Sequence, residues 1–211
     1  MQQYGIYEIL LNVKNLIITK IFFPKARLIR YPFYIRNKKN IKINDGFTCG
    51  YNCRLESIKT KEEFGKILLG INVKVGDNVH LASASEVKIE DNVLIASHVF
   101  ISDLDHGNYS NSNQTSPSII PDKRDISSKK ILIKENTWIG ENVVILKGVT
   151  IGKGCVIGAN TLINKNIPDY SIAVGQPAKV IKKYNFETEK WEKQIKIFDL
   201  NQTEPLAEWI Y

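Results

Sequence analysis

The chain has 211 residues, 43% of them apolar and 24% charged. That suffices for one buried core with trimmings and excludes wholesale disorder. Lys and Arg number 29 against 22 Asp and Glu, a net charge of +7. The basic residues recur throughout, with pairs at Lys38-Lys39, Lys129-Lys130 and Lys182-Lys183. Such an excess describes a solvated surface or a polyanionic, phosphorylated or membrane partner, and no nucleic-acid motif accompanies it.

Residues 6–23 come first in chain order. Ile6, Ile9, Leu10, Val13, Ile17 and Ile21 fall near helical spacing and predict an amphipathic helix. Glu8, Lys14 and Lys20 interrupt the segment, and no small-residue cleavage site follows it. It therefore predicts neither a secretory signal nor a membrane span. Residues 1–40 are expected to form a helical and extended cap.

A period of six governs residues 41–183. Ile133, Ile139, Ile145, Ile151, Ile157 and Ile163 run unbroken. Earlier runs are Ile43, Cys49 and Leu55, then Leu69, Val75 and Leu81, then Ile89, Ile95 and Ile101. Four places after most of these aliphatics stands a small or β-branched residue, such as Val73, Val93, Thr137, Val143 or Cys155. Six is neither the helical period nor plain alternation. It describes short strands joined by corners, with stacked coils covering one another's aliphatics. The expected fold is an all-β solenoid, a parallel β-helix, with Gly and Asn at corners that need a positive φ.

The period breaks near 59–64, near 82–87, and longest over 104–128. This last stretch is rich in Asp, Gly, Asn, Ser and Pro and predicts a long exposed loop insertion. Residues 184–211 are expected to be a helical segment, because Trp191 and Ile195 stand four apart. Both terminal segments could cover the open ends of the coils.

Cys49, Cys53 and Cys155 are odd in number, which argues against a disulfide framework and for a reduced, cytoplasmic chain. All three occupy inward places of the repeat and read as small buried hydrophobes. The histidines are His80, His98 and His106. The first two lie within repeat coils and read as structural. His106 follows Asp103-Leu104-Asp105 and opens the long insertion. A carboxylate beside an imidazole suits a general base, with Asp103 and Asp105 both candidates to orient it. Three dispersed histidines do not reproduce the ligand spacing of γ-type carbonic anhydrases, so no metal is expected.

Residues 131–181 carry Thr137-Trp138-Ile139-Gly140, Val156-Ile157-Gly158-Ala159-Asn160, Asn166-Ile167-Pro168 and Val174-Gly175-Gln176-Pro177-Ala178-Lys179. This resembles the hexapeptide acyltransferases, in the branch of maltose, galactoside and capsular-sugar O-acetyltransferases. The Asp103–His106 segment resembles that family's catalytic histidine loop. Arg30–Arg54 is similar to the opening coils of capsule O-acetyltransferases, including those acting on sialic-acid polymers. The resemblance implies a left-handed β-helix, a homotrimer with sites between neighbouring subunits, acetyl-CoA as donor and His106 as base. It places Trp138 at the acceptor or pantetheine wall, and Gly158 and Ala159 beside the pantetheine arm. Lys165, Pro177 and Lys179 fall at the nucleotide end of the coenzyme. Asn160 departs from the family's commoner small residue there. The expected acceptor is an anionic carbohydrate, a surface or capsular sugar of the sialic-acid type. The expected location is the cytoplasm, with peripheral contact at the inner membrane face as a further option. Two alternatives stand beside this reading: N-acetyl transfer to an amino sugar nucleotide, and a non-catalytic glycan-binding β-helix.

Overall fold

A strand two or three residues long cannot bury its own apolar side, so each must be covered by copies above and below. In this protein, a computed structural model describing residues 5–61, 63–110 and 112–193, the covering is done by three parallel sheets. The chain visits them in strict rotation. The first face stacks Leu28–Ile29, Thr48–Cys49, Lys74–Val75, Leu94–Ile95, Trp138–Ile139, Val156–Ile157 and Ser171–Val174. The second runs from Phe33–Arg36 through Cys53–Ser57, His80–Ser83, Phe100–Ser102 and Val144–Ile145 to Leu162–Ile163. The third runs from Ile41–Ile43 through Lys66–Leu69, Glu86–Ile89 and Ile131–Ile133 to Thr150–Ile151.

The six-residue period is thus a walk around three faces. Ile133, Ile139 and Ile145 lie on the third, first and second face in turn, and Ile151, Ile157 and Ile163 repeat the circuit one coil on. All six are buried, as are the intervening Thr137, Val143, Val149, Cys155 and Thr161. Each buried Ile contributes roughly 1.5–3 kcal/mol of transfer free energy. The corners are built by left-handed residues: Asn52, Asn72, Asn78, Asn92, Asn136, Asn142 and Asn160, with φ of 56–58°. Glycine serves where coils approach closest. A Cβ on Gly140 would stand 2.7 Å from the Ala159 backbone nitrogen of the next coil. The three cysteines are free and buried in this stack.

Coils begin upstream of residue 41, since Leu28–Ile29 pairs with Thr48–Cys49 and Phe33–Arg36 with Cys53–Arg54-Leu55-Glu56. Helix α1 (Ile6–Phe22) lies where the sequence predicts it. Its orientation is the reverse of the amphipathic expectation: Asn15 and Thr19 are buried, whereas Ile6, Ile9, Leu10, Val13, Ile17 and Ile21 are exposed.

The C-terminal expectation is corrected too. Residues 179–193 form an antiparallel hairpin, Lys179–Asn185 against Lys190–Lys193, continuing the first face. The four-residue spacing of Trp191 and Ile195 misled because Trp191 pairs across the hairpin with Tyr184, within an edge-on cluster of Tyr170, Phe186, Tyr184 and Trp191. Ile195 lies outside the described residues.

Candidate active site

The insertion leaves the coil at the edge between the second and third faces. Its two ends are zipped: Leu104–His106 pairs antiparallel with Ile126–Ser128, with His106 opposite Ile126. The predicted loop therefore stands on a short hairpin. Beyond the hairpin, Tyr109 Oη donates to the His106 carbonyl. Arg124 in turn donates to Tyr109 Oη at 2.8 Å and to the Ile119 carbonyl at 2.9 Å. His106 is thus held on an ordered strand with its side chain exposed.

The carboxylates of Asp103 and Asp105 are engaged by other partners than the His106 ring. Asp103 is fully buried. Its carboxylate accepts from Ser83 Oγ at 2.8 Å and from the backbone N–H groups of Ala84 and Ser85 at 2.7 and 2.9 Å. Its carbonyl accepts from Lys129 N–H, where the insertion returns. Asp103 closes the base of the insertion, with both carboxylate oxygens engaged at the Ser83–Ser85 corner. Asp105 pairs with Lys147 Nζ at 2.7 Å, and the same ammonium donates to Ser127 Oγ at 3.0 Å. Lys147 thereby ties the hairpin to the next coil, a role that its place in the repeat gave no sign of.

Among the described residues, the other two histidines have ring partners. His80 Nε2 meets Glu56 at 2.8 Å. His98 meets Glu141 at 3.2 Å and Asn78 at 3.1 Å. Glu56 also faces Arg36 and Arg54, each at 3.0 Å. Burial pushes the Glu56 carboxyl up, but the His80 hydrogen bond and the two guanidinium charges outweigh it and hold the group below its ordinary value. Among the described residues no His, Cys, Asp and Glu side chains gather in threes as a metal site.

The remaining predicted residues divide between two edges. Trp138 sits exposed on the first face, stacked between Leu94 and Val156. Gly158 and Ala159 form the corner between first and second faces, and Val174–Pro177 folds over them. Gly158 N–H donates to the Ala173 carbonyl at 2.9 Å, and Gln176 Nε2 donates to the Asn160 carbonyl at 2.7 Å. Pro177 and Lys179 are exposed at this end. Lys165 is apart from them, at the corner that follows Leu162–Ile163, on the edge from which the insertion leaves. An open groove of about 790 Å³ lies between residues 59–61 and the hairpin, spanned at one point by the Lys61–Asp125 pair at 2.6 Å. It is lined by Lys59, Lys61, Lys123 and Arg124, with Glu63, Asp122 and Asp125, and it reaches the hairpin at Ile126.

Stacked coils of this kind, with a histidine strand projecting from one edge and a glycine corner on another, define a bacterial transferase built of hexapeptide repeats. Residues 130–165 match the family described as bacterial transferase hexapeptide (six repeats). The "Putative lipopolysaccharide biosynthesis O-acetyl transferase WbbJ" of Escherichia coli (strain K12) is 42% identical over 193 residues, covering 91% of this chain and 96% of that protein. The chain belongs to the hexapeptide-repeat acyltransferases, and it is an acetyltransferase of that family. Among solved structures, a hexapeptide-repeat acetyltransferase of Vibrio cholerae O1 biovar eltor, complexed with acetyl coenzyme A, is 26% identical, with a TM-score of 0.50 over 72% of this chain and 71% of that one. AntD, an N-acyltransferase from Bacillus cereus in complex with dTDP-4-amino-4,6-dideoxyglucose and coenzyme A, shares the fold at 21% identity, with a TM-score of 0.58 over 89% and 94%.

Proposed function

We propose that this protein transfers an acetyl group from acetyl-CoA to a hydroxyl of a bacterial surface sugar, with His106 as the general base. The observation that carries the reading is the state of the three histidines. Those in the coils are engaged by Glu56 and Glu141, whereas the ring of His106 has no partner among the described residues. A hydroxyl is a weak nucleophile at neutral pH. An imidazole nitrogen takes its proton as the oxygen attacks the thioester carbonyl, and the thiolate of coenzyme A leaves. With donor and acceptor held side by side, no acyl-enzyme is needed. The O-acetyl transferase relative supports hydroxyl rather than amine as acceptor. A capsular sugar of the sialic-acid type is the narrower form of the reading, with its carboxylate met by Lys59 in the basic part of the groove.

The coil is read as the family's left-handed β-helix and the assembly as a homotrimer. In one chain the His106 hairpin leaves the far edge of the second face, and the Gly158–Ala159 corner is on the near edge. A neighbouring chain can bring a copy of that corner to the histidine. The surface suits this. Leu94, Trp138, Val156 and Ile172 form one outward column, and Phe100, Val144 and Leu162 another, on the adjoining face. Leu94 is 46% exposed, Trp138 51% and Phe100 37%. Apolar columns of this kind mark contact surfaces, and a contact between two different faces forms a ring where its rotation closes, as a three-fold rotation does.

The test offers labelled acetyl-CoA with sialylated, neutral and amino sugars, and locates the acetyl group by NMR. An ester product is expected. His106→Ala should lower kcat by roughly 10²–10⁴-fold and leave acetyl-CoA affinity unchanged by calorimetry. An amide product, or a folded His106→Ala protein with normal turnover, overturns the proposal.

A further inference from the structure

We infer that α1 is a membrane-docking helix that lays its apolar face on an anionic bilayer. The helix packs on the first coil through polar groups. Thr19 Oγ1 accepts the Ile29 N–H at 2.9 Å, and Asn15 Oδ1 accepts the Tyr31 N–H at 3.4 Å. Ile29 belongs to the outermost strand of the first face, whose backbone edge would otherwise lack a neighbour. Those backbone groups require a polar inner side of the helix. The apolar side is therefore left pointing away from the protein, with Val13 49% and Ile17 57% exposed.

Charge selects the occupant. Residues 1–44 contain nine Lys or Arg and one acid, Glu8, a net +8. The other 167 residues therefore sum to −1 of the chain's +7. The whole positive excess sits on α1 and the first coils, although basic residues occur throughout. Lys14 flanks the apolar arc, where its long stem can cover hydrocarbon while the ammonium stays at headgroup level, whereas Lys20 Nζ donates to the Ala26 carbonyl at 2.8 Å and ties the helix to the first coil. Beside the helix runs an apolar groove of about 400 Å³, floored by Ile9, Val13, Leu16 and Leu28 and rimmed by Arg27 and Arg30. An acyl chain with its phosphate at the rim matches that chemistry. A second copy of the same surface would bring +8 against +8, which disfavours self-association through this face. No described helix is long and apolar enough to cross a membrane, so the helix would lie in the interface plane. Rotation about one three-fold axis would keep three copies of α1 at equal height, so they could meet a flat surface together. That last step rests on the trimer proposed above, whereas the docking of one helix does not.

The test is flotation of the whole protein with phosphatidylcholine vesicles, alone or with about a quarter phosphatidylglycerol. Binding is expected to the anionic vesicles only and should weaken as salt is added. Val13→Glu/Ile17→Glu alters only exposed positions and should lower binding at least about tenfold. Lys14→Glu/Arg27→Glu should do the same on anionic vesicles. Oligomer mass by light scattering and turnover on a soluble acceptor should not change in either variant. Failure of the wild type to bind anionic vesicles at low salt would overturn the inference, as would undiminished binding by the first variant. Loss of oligomer mass in Val13→Glu/Ile17→Glu would assign the face to a second copy and also overturn it. Vesicle binding is read without turnover, so its failure leaves the acetyltransferase reading untouched.

Discussion

Asp103, a candidate to orient His106 by its place in the sequence, has an architectural job in the structure. A carboxylate three places before the histidine invites an orienting role, but its oxygens cap three donors at the Ser83–Ser85 corner of the preceding coil. That corner is where the period breaks at 82–87, and nothing in the spacing says which distant group fills it. Asp103→Ala would leave the buried Ala84 N–H and Ser83 hydroxyl and the half-buried Ser85 N–H without this acceptor, at about 1–3 kcal/mol for a fully buried group. Urea unfolding should show a loss of roughly 3 kcal/mol, whereas Asp105→Asn, at a more exposed site, should cost less than about 1 kcal/mol. Glu56 gives a pH signature. Its carboxyl lies below the ordinary value near 4.5 in the folded chain, so its stabilisation is fully present above that value. It fades as pH falls through the folded pKa, because the unfolded chain takes up the proton first. A melting-temperature profile from pH 6 downward should fall less steeply for Glu56→Gln than for the wild type, to about pH 3.

At the level of elements, the repeat was legible and the terminal pieces were legible only in part. The aliphatic period maps directly onto the faces because every coil poses the same packing problem. Helix α1 was visible from its 3.6-residue spacing, but the side it buries was not, because backbone groups at the sheet edge outrank apolar area there. Thr19→Val tests this. It keeps the shape of the side chain and removes the acceptor of the Ile29 N–H at a fully buried site. Burying more apolar surface should stabilise if packing dominated. A loss of about 1–3 kcal/mol in chemical denaturation is expected instead. The C-terminal hairpin escaped the sequence reading for a different reason. Its cross-strand aromatic pairs, Tyr184 with Trp191 above all, join residues whose separation depends on a turn that the helical template ignores.

For the whole molecule, the question is whether one chain or two make a site. His106 and the Gly158–Ala159 corner leave opposite edges of the second face, and the repeat predicts both positions without saying that the face separates them. Subunit mixing decides the matter. A His106→Ala chain keeps the corner and lacks the proposed base. An Ala159→Trp chain keeps the base and obstructs the corner at an exposed position, without disturbing the buried aliphatics. In the proposed homotrimer, each variant alone should be inactive or nearly so. If each site joins the histidine of one subunit to the corner of the next, equal random mixing restores one site wherever an Ala159→Trp chain precedes a His106→Ala chain around the ring. That arrangement arises at about a quarter of the interfaces. Co-refolded protein should therefore recover about a quarter of the wild-type turnover per chain, with no recovery when the two proteins are combined without exchange. Absence of recovery after exchange, confirmed by native mass spectrometry of mixed trimers, would place the whole site within one chain. The apolar columns through Leu94 and Phe100 would then serve assembly alone.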